Sequence, residues 1–288
     1  MIPVAFDYTR PTTLDEAVRA LSGADGAAKI LAGGQSLLPV MRLRLAYPEL
    51  LIDLAGVGGL RGVREEPDAI VVGAMTTHDQ VLHDPLIATH APLVAAATAT
   101  VADRQVRHRG TFGGSLAHAD PAGDLPAVAV ALDAELVLTG PGGTRRVGAA
   151  DFFVDYMTTT LGPDEILTEV RLPKLGAGWG VAYEKFNRVA QAWSIVGVAA
   201  AVRVVDGQVA EARIGLSNMA PTPVRARAVE AALAGVGADG VDAAAQAATE
   251  GTDPPGDLSG SPDYRAHLAR VLTARAVRRA GGLAGAAG

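Results

Sequence analysis

The sequence predicts an α+β fold of three consecutive units. Three observations support this prediction. The residues before position 56 combine a capped amphipathic helix with two apolar strands, as a small β-α-β unit does. Glycine-containing joints follow at 56–62 and 173–180, and two strand-like runs flank Asp206-Gly207, a dipeptide typical of tight hairpin turns. We therefore expect units at residues 1–57, 58–175 and 176–288, the last with a small antiparallel sheet.

The first unit begins with a helix that carries its own start signal. Thr13 and Glu16 have the spacing of a capping box. The apolar residues behind them recur on one helical face, and they are Leu14, Ala17, Val18 and Leu21. Residues 28–31 and 50–54 are predicted strands, and a short helical or irregular segment begins at Pro39.

The second unit is predicted to mix strands with apolar helices. The predicted elements are a strand at 69–73, a helix capped by Thr77, an alanine-rich helix at 92–101, a buried helix at 125–132, a strand at 134–139, a hairpin turn at 141–143 and a strand at 166–172. Because apolar and polar residues alternate in the last of these, we expect that strand to be half-buried.

The third unit is predicted to hold a hairpin and a long final helix. The predicted elements are strands at 181–186, 195–205 and 209–217, a helix at 225–233 and a helix starting at Ser261-Pro262. The apolar face of the final helix is predicted to contain Tyr264, Leu268, Val271 and Leu272. Its arginines, at positions 270, 275, 278 and 279, are expected to face solvent or a partner.

Composition excludes several classes of function. The chain of 288 residues carries 31 acidic and 25 basic residues, whereas nucleic-acid binding needs a basic surface. It contains no cysteine, which excludes disulfides and cysteine-ligated clusters on this chain. The N-terminus lacks the pattern of a signal peptide, and the longest apolar run, Ala192–Val202, is too short for a membrane helix. We therefore expect a cytoplasmic protein without a membrane span.

Two glycine motifs are the candidate functional site. Residues 32–36 read Ala-Gly-Gly-Gln-Ser, residues 111–115 read Thr-Phe-Gly-Gly-Ser, and an apolar run leads into the first of them. Adjacent glycines let a backbone turn sharply and approach a ligand, and successive N–H groups in such a turn suit an anion. We interpret the motifs as two loops of one diphosphate site. Ordinary turns are the alternative, since the chain has 34 glycines.

With both motifs in hand, the sequence resembles the FAD-binding medium subunits of molybdenum hydroxylases, and most closely the carbon monoxide dehydrogenase branch. That family has Ala-Gly-Gly followed by His or Gln and then Ser, as at residues 32–36. At the second motif the family has Thr-Ile-Gly-Gly followed by Asn or Asp. This chain has Phe112 in place of the Ile and Ser115 in place of the Asn or Asp. Residues 117–126 match the family's Ala-Asp-Pro-Ala-x-Asp-Leu-Pro, and similarity extends over nearly the whole chain.

The resemblance implies a PCMH-type fold, in which FAD lies between two α+β subdomains and a C-terminal α+β domain follows. It implies that FAD is the cofactor. It also implies that this chain carries neither catalytic residues nor metal ligands. The cofactor-binding residues that it implies are Ile30, Leu31, Ala32, Gly33, Gly34, Gln35, Ser36, Leu37, Thr111, Phe112, Gly113, Gly114, Ser115, Asp124, Leu167 and Lys185. Of these, Leu167 and Lys185 correspond to residues near the flavin ring.

The resemblance also implies partners. A large molybdopterin subunit would oxidise the substrate, and a small subunit with two [2Fe–2S] clusters would pass electrons to the FAD, which would deliver them to an external acceptor. The assembly would be a dimer of heterotrimers. The alternatives are the medium subunit of a related hydroxylase acting on an N-heterocycle or aldehyde, a scaffold subunit without FAD, and a stand-alone FAD oxidoreductase.

Several residues keep simpler interpretations. Asp124 could cap the helix that follows it, and Lys185 could be an ordinary surface lysine. Trp193 fits a core position better than a flavin contact, and His118 fits a structural role. The arginines at 104, 107 and 109 could reach a diphosphate or face a partner.

Overall fold

A parallel three-stranded sheet forms the first unit of the structure, a computed structural model that describes residues 2–283. Its elements are β1 (Asp7–Thr9), α1 (Leu14–Ser22), β2 (Ala28–Leu31), α2 (Leu37–Arg42) and β3 (Leu50–Asp53). The strand order is β1-β3-β2, so the predicted β-α-β unit is confirmed. Apolar residues of α1, such as Ala17 and Leu21, are buried in one cluster with Ile52 of the central strand.

Helix α1 begins as its sequence predicts. The Thr13 hydroxyl accepts a hydrogen bond from the Glu16 amide at 3.2 Å, and the Glu16 carboxylate accepts one from the Thr13 amide at 3.2 Å. These two bonds satisfy amides that the first turn of a helix leaves unpaired. The same device starts the helix after Thr77, where Gln80 takes the place of the glutamate.

A five-stranded antiparallel sheet and a layer of short helices form the second unit. The strands are β4 (Val63–Glu65), β5 (Ala69–Gly73), β6 (Glu135–Gly140), β7 (Gly143–Gly148) and β10 (Ile166–Pro173), in the order β4-β5-β10-β6-β7. The helices are α3 (His78–His83), α4 (Pro85–His90), α5 (Pro92–Thr98), α6 (Arg104–Arg109), α7 (Phe112–His118), α8 (Asp124–Ala131) and α9 (Ala149–Phe152). A small hairpin of β8 (Phe153–Asp155) and β9 (Thr158–Thr159) completes the unit.

The prediction that the strand at 166–172 is half-buried is wrong. This strand, β10, lies in the middle of the sheet, and only Glu169 among residues 166–172 is not buried. Apolar side chains of the helix layer cover one face of the sheet. On the other face, Arg171 pairs with Glu66 and Glu135, and these ion pairs cover the strand.

The third unit is a four-stranded antiparallel sheet with helices. Its elements are β11 (Trp179–Phe186), β12 (Val196–Val205), β13 (Gln208–Ser217), β14 (Val224–Arg225), α10 (Arg227–Leu233), α11 (Val241–Ala245) and α12 (Pro262–Gly281). The predicted hairpin is confirmed, because Asp206 and Gly207 join β12 to β13 with φ values of +51° and +76°. Two positive φ values are what a type I′ turn requires. The helix predicted to start at Arg225 starts two residues later.

The buried face of α12 differs from the prediction. Ser261 caps this helix and Pro262 occupies its first turn, as expected. Leu268 and Leu272 are buried, but Tyr264 is exposed and the Arg265 side chain is fully buried. Arg265 reaches Asp257 at 2.8 Å and the Ile195 carbonyl, so a paired cation replaces the aromatic ring at the domain centre. Arg278 and Arg279, expected to face solvent or a partner, pair with Asp242 and Glu184 of the same unit.

Helix α8 joins the second and third units. Its eight residues are all buried, since it packs between the helix layer and the inner faces of β12 and β13. At its C-terminal end, the Arg225 guanidinium donates to the carbonyls of Val130 and Ala131, both at 2.9 Å. Arg225 also pairs with Glu230 and with Asp133. The third unit therefore supplies the cap that the last carbonyls of α8 need.

Among residues 2–283, no helix combines the length and the apolar character that crossing a membrane requires.

We expect Arg225→Leu to lower the free energy of unfolding by about 3 kcal/mol, because it leaves Glu230 without its charge partner in a mostly buried position. Urea denaturation measures this change. Arg227→Leu is the matched control: its side chain is 70% exposed and lies 4.0 Å from the same glutamate. Equal, small changes in both variants would show that the contact with α8 contributes no stability.

Candidate functional site

The first glycine motif lies at the end of β2 and offers free backbone amides. Residues 32–36 connect β2 to α2, and Gly34 has a φ of +75°, a conformation that glycine adopts readily. Within residues 2–283, the amides of residues 33–36 donate to no protein acceptor. Four consecutive unpaired N–H groups at a partly exposed turn are suited to bind an anion.

The second motif has a different structure from the predicted loop. Thr111 caps α7, and residues 112–115 form the first turn of that helix. The Phe112 and Gly113 amides donate to the carbonyls of Thr76 and Ala74, both at 2.9 Å. The Gly114 and Ser115 amides donate to the side chain and carbonyl of Thr111. The predicted concavity of free amides is therefore wrong for this motif, because neighbouring backbone and the helix cap already use them.

The structure nevertheless brings the two motifs together. A Cβ atom on Gly33 would lie 2.2 Å from the Arg109 carbonyl oxygen and 2.7 Å from the Gly110 Cα, which precedes α7. A Cβ on Gly114 would lie 3.4 Å from the Ala32 Cβ. Only glycine allows the first approach, since real Cβ atoms do not come so close to backbone. The two motifs therefore lie in contact, the first as a loop with free amides and the second as a helix start that packs against it.

Gly113 faces away from this contact and into the sheet. A Cβ at this position would lie 2.4 Å from the Ala74 Cβ. Phe112 beside it is 1% exposed and belongs to the hydrophobic core. In the second motif, only Gly114 and Ser115 retain partial exposure beside the first loop, and Ser115 donates its hydroxyl to the Phe112 carbonyl.

A buried histidine supports the contact between the motifs from behind. The His78 amide donates to the Gly110 carbonyl at 2.9 Å, and a Cβ on Gly110 would lie 2.8 Å from the His78 ring. The Nδ1 atom of His78 is buried without a hydrogen-bond partner among the described residues. Burial, with a smaller contribution from the positive charge of Arg107, lowers the pKa of His78 to about 4. The ring is therefore neutral near pH 7.

Asp124 and Lys185, which both lie outside the two motifs, form a buried ion pair. The Lys185 Nζ lies 2.9 Å from the Asp124 Oδ2 and donates to the Thr100 carbonyl at 3.2 Å. The two side chains are 6% and 4% exposed. The surface interpretation of Lys185 is therefore wrong. The capping interpretation of Asp124 is wrong as well, because Gly123 holds the cap position of α8 and the Asp124 side chain makes no cap bond.

Two hydroxyls of the third unit complete this cluster. The Tyr183 hydroxyl donates to the Asp124 Oδ1 at 2.7 Å, and the Ser194 hydroxyl donates to the same atom at 2.8 Å. Burial and the negative charge of Asp124 raise the pKa of Tyr183 well above its usual value, so Tyr183 remains a donor. Sequence reasoning missed both residues, although Tyr183 precedes Lys185 by two positions and so shares its face of the predicted strand.

The remaining predicted site residues surround these two centres. Ile30, Leu31 and Leu37 are partly buried on either side of the first loop, and Gln35 is exposed there. Leu167 is a core residue of β10. An open groove of about 500 Å³ adjoins the first loop, and it is lined by Gly34, Gln35, Leu38, Pro39, Arg42 and Leu43. Sequence reasoning did not predict this groove.

Trp193 and the arginines at 104, 107 and 109 differ in how far they are exposed. Trp193 is 56% exposed, so its predicted core position is wrong, because the turn between β11 and β12 holds it at the surface. Arg107 is partly buried and donates to the carbonyls of Val101 and Ala102, whereas Arg104 and Arg109 are exposed. Within residues 2–283, no group of His, Asp and Glu side chains is arranged to hold a metal ion.

Comparisons with known proteins agree over nearly the whole chain. The family model described as the FAD binding domain in molybdopterin dehydrogenase matches residues 4–175. The model described as the CO dehydrogenase flavoprotein C-terminal domain matches residues 181–280. The first match alone covers more than half of the chain.

Individual relatives are similar over nearly their full length. The carbon monoxide dehydrogenase medium chain of Hydrogenophaga pseudoflava is 42% identical over 282 residues, which are 97% of this chain and 98% of that protein. The nicotine 6-hydroxylase medium subunit of Paenarthrobacter nicotinovorans is 37% identical over 279 residues, 96% of this chain and 98% of that protein. The structure of reconstituted CO dehydrogenase from Oligotropha carboxidovorans matches with a TM-score of 0.96 and 39% identity, covering 99% of this chain and 100% of that chain.

We expect stability to fall as the pH falls from 6.5 towards 4, because the unfolded chain then protonates His78 while the folded chain holds it neutral. A shift from 6.5 to about 4 corresponds to about 3 kcal/mol in full, of which about 2 kcal/mol is lost by pH 5. Urea denaturation at pH 7 and pH 5 measures the loss.

The His78→Gln variant removes this titration and should be less sensitive to pH than the wild type by that amount. His83→Gln is the control, since the His83 side chain is 69% exposed. An identical pH dependence in the wild type and in His78→Gln would contradict the neutral, buried state of His78.

Proposed function

Because the chain belongs to the family of FAD-binding subunits of molybdopterin dehydrogenases, we propose that it receives electrons from [2Fe–2S] clusters of a partner subunit and passes them through FAD to an external acceptor. The observation that carries this proposal is the first glycine loop, which has four free amides and packs at Gly33 against the backbone leading into α7. FAD is the cofactor of this family, and the enzyme is an oxidoreductase. The electron route and the residues below are our proposal.

The first loop fits the diphosphate of FAD. A diphosphate carries about two negative charges, and hydrogen bonds from amides to such an anion are among the strong ones in proteins. The amides of residues 33–36 are free to donate, and Gly33 and Gly34 place no side chain in front of them. The close contact of Gly33 with Arg109 and Gly110 leaves no room for a side chain at this position. Binding at this loop therefore depends on backbone shape rather than on lysines.

The residues proposed to hold the cofactor divide into two groups. Residues 30–37 and 111–115 would bind the diphosphate region, with the first group donating and the second forming a close-packed wall. Asp124, Leu167 and Lys185 would lie near the flavin. When bound, FAD supplies redox chemistry that accepts electrons and releases them to an acceptor. We propose that Lys185 contributes positive charge at the N1–C2=O edge of the flavin, where charge tunes its potential.

The proposed electron source is a separate chain. The protein has no cysteine, so it holds no cysteine-ligated iron–sulfur cluster of its own. We propose a small subunit with [2Fe–2S] clusters and a large molybdopterin subunit as partners, assembled as a dimer of heterotrimers. The relatives named medium chain or medium subunit support a complex of several subunits.

The substrate of the whole complex is a separate question from the function of this chain. The similarity to a carbon monoxide dehydrogenase medium chain favours carbon monoxide. The similarity to a nicotine 6-hydroxylase medium subunit favours an N-heterocycle as the second candidate. Substrate oxidation takes place on the proposed large subunit, so activity of the purified complex with each substrate decides between them.

We expect the wild-type chain, purified with its partner subunits, to retain FAD absorbance after excess cofactor is removed. Gly33→Val should lose the flavin, because its side chain would collide with the backbone of Arg109 and Gly110. Gly58→Val is the control, since a Cβ at Gly58 meets no atom within 4 Å. Circular dichroism checks that both variants fold. A wild-type complex without flavin would favour a scaffold subunit, and flavin retained by Gly33→Val would contradict the proposed site.

We expect Lys185→Met to lower the midpoint potential of the flavin, because a positive charge near the ring favours the reduced, anionic form. Lys185→Arg should retain most of the wild-type potential, since it keeps the charge. Lys174→Met is the control for loss of a lysine, as Lys174 pairs with Glu65 at the sheet surface. A potential that is unmoved in Lys185→Met would remove Lys185 from the proposed flavin environment.

A further inference from the structure

The carboxylate of Asp124 accepts hydrogen bonds from two hydroxyls in addition to its ion pair with Lys185. Both hydroxyls, from Tyr183 and Ser194, donate to Oδ1, while Lys185 alone binds Oδ2. Asp124 is also the first residue of α8, where the helix dipole favours negative charge. Because the Asp124 side chain is only 4% exposed, Oδ1 needs donors from the protein, and the two hydroxyls supply them.

The hydroxyl donors are held rigidly by the third unit. Tyr183 lies in β11, and Ser194 lies just before β12. The Asn218 side chain donates to the Ser194 carbonyl at 2.8 Å, and the Asn218 amide donates to the Pro121 carbonyl at 2.7 Å. Tyr183 and Ser194 are 7% and 2% exposed, so neither hydroxyl can turn to water. Both hydroxyls are thus shielded from water and bonded to Asp124 in the folded chain.

These hydroxyls alter the charge balance of the pair. A hydroxyl that donates to a carboxylate draws negative charge towards itself and away from the other partner of that carboxylate. In a buried cluster such a redistribution acts strongly, because little water is present to screen it. With two hydroxyls and a helix start on Asp124, more of the positive charge of Lys185 remains available to a group beyond the pair.

We propose that Tyr183 and Ser194 are positioning residues that adjust the flavin potential through Asp124 and Lys185, without contact of their own with the flavin. This inference rests on the proposed function, in which Lys185 lies near the flavin. It adds the third unit to the redox role of the chain, since both hydroxyls belong to that unit. Removal of either hydroxyl concentrates negative charge on Asp124, strengthens its hold on Lys185 and disfavours the reduced flavin.

The test compares flavin midpoint potentials in the complete complex. Tyr183→Phe and Ser194→Ala should each lower the potential, and the double variant should lower it further, with FAD content unchanged. Ser217→Ala is the control for loss of a neighbouring hydroxyl: the Ser217 hydroxyl lies 3.5 Å from the Tyr183 hydroxyl and donates to the Gly123 carbonyl at 3.0 Å, but it makes no hydrogen bond to Asp124. We expect the Ser217→Ala potential to equal that of the wild type.

The outcomes separate this inference from the proposed function. If Lys185→Met lowers the potential but Tyr183→Phe and Ser194→Ala leave it unmoved, the inference is wrong and the proposed function stands. If Ser217→Ala shifts the potential as much as Ser194→Ala, the effect is general to buried hydroxyls and the inference is also wrong. If the wild-type complex binds no FAD, both the proposed function and the inference are wrong.

Discussion

The contact between the backbone at Gly33 and the backbone at Arg109–Gly110 is the constraint on which the candidate site depends. These segments come from different units, and each carries a motif that would be an ordinary turn on its own. The approach leaves no room for a Cβ on Gly33, so sterics rather than side-chain chemistry select the residue. It also places the loop with the free amides directly beside the segment that leads into α7.

Helix α8 extends this constraint to the third unit. At its start, Asp124 receives hydrogen bonds from Tyr183 and Ser194, and at its end Arg225 covers the last carbonyls. Between the two ends, the Gly215 backbone lies so close to Ala127 that a Cβ would be 2.1 Å from its carbonyl oxygen. The same helix follows α7 directly. The first two units and the C-terminal sheet are thus connected through α8, and this connection brings Lys185 of β11 into contact with Asp124.

Sequence reasoning predicted the local features well, because they depend on neighbouring residues. The capping box at Thr13 and the turn at Asp206-Gly207 formed as expected. Gly113-Gly114 was misread as a loop, since glycine there serves tertiary contacts within a helix start. The burial of Arg171 in β10 and the exposure of Trp193 depend on partners far along the chain. The cluster around Asp124 joins residues 59 to 70 positions apart, and no local pattern predicts it. The prediction of FAD as the cofactor came from the resemblance to a known family.

The capped ends of α8 have a consequence for how this chain can be divided. The joint around Gly176 and Gly178 is open, and a Cβ on Gly176 would meet no atom within 4 Å. A protease cut there breaks one bond in an exposed connection and leaves every contact of α8 in place. Removing the residues after the joint is a different operation, because it strips the donors from Asp124 and the cap from Val130 and Ala131. We therefore expect the two parts to stay associated after a nick, and the first part to lose stability after truncation.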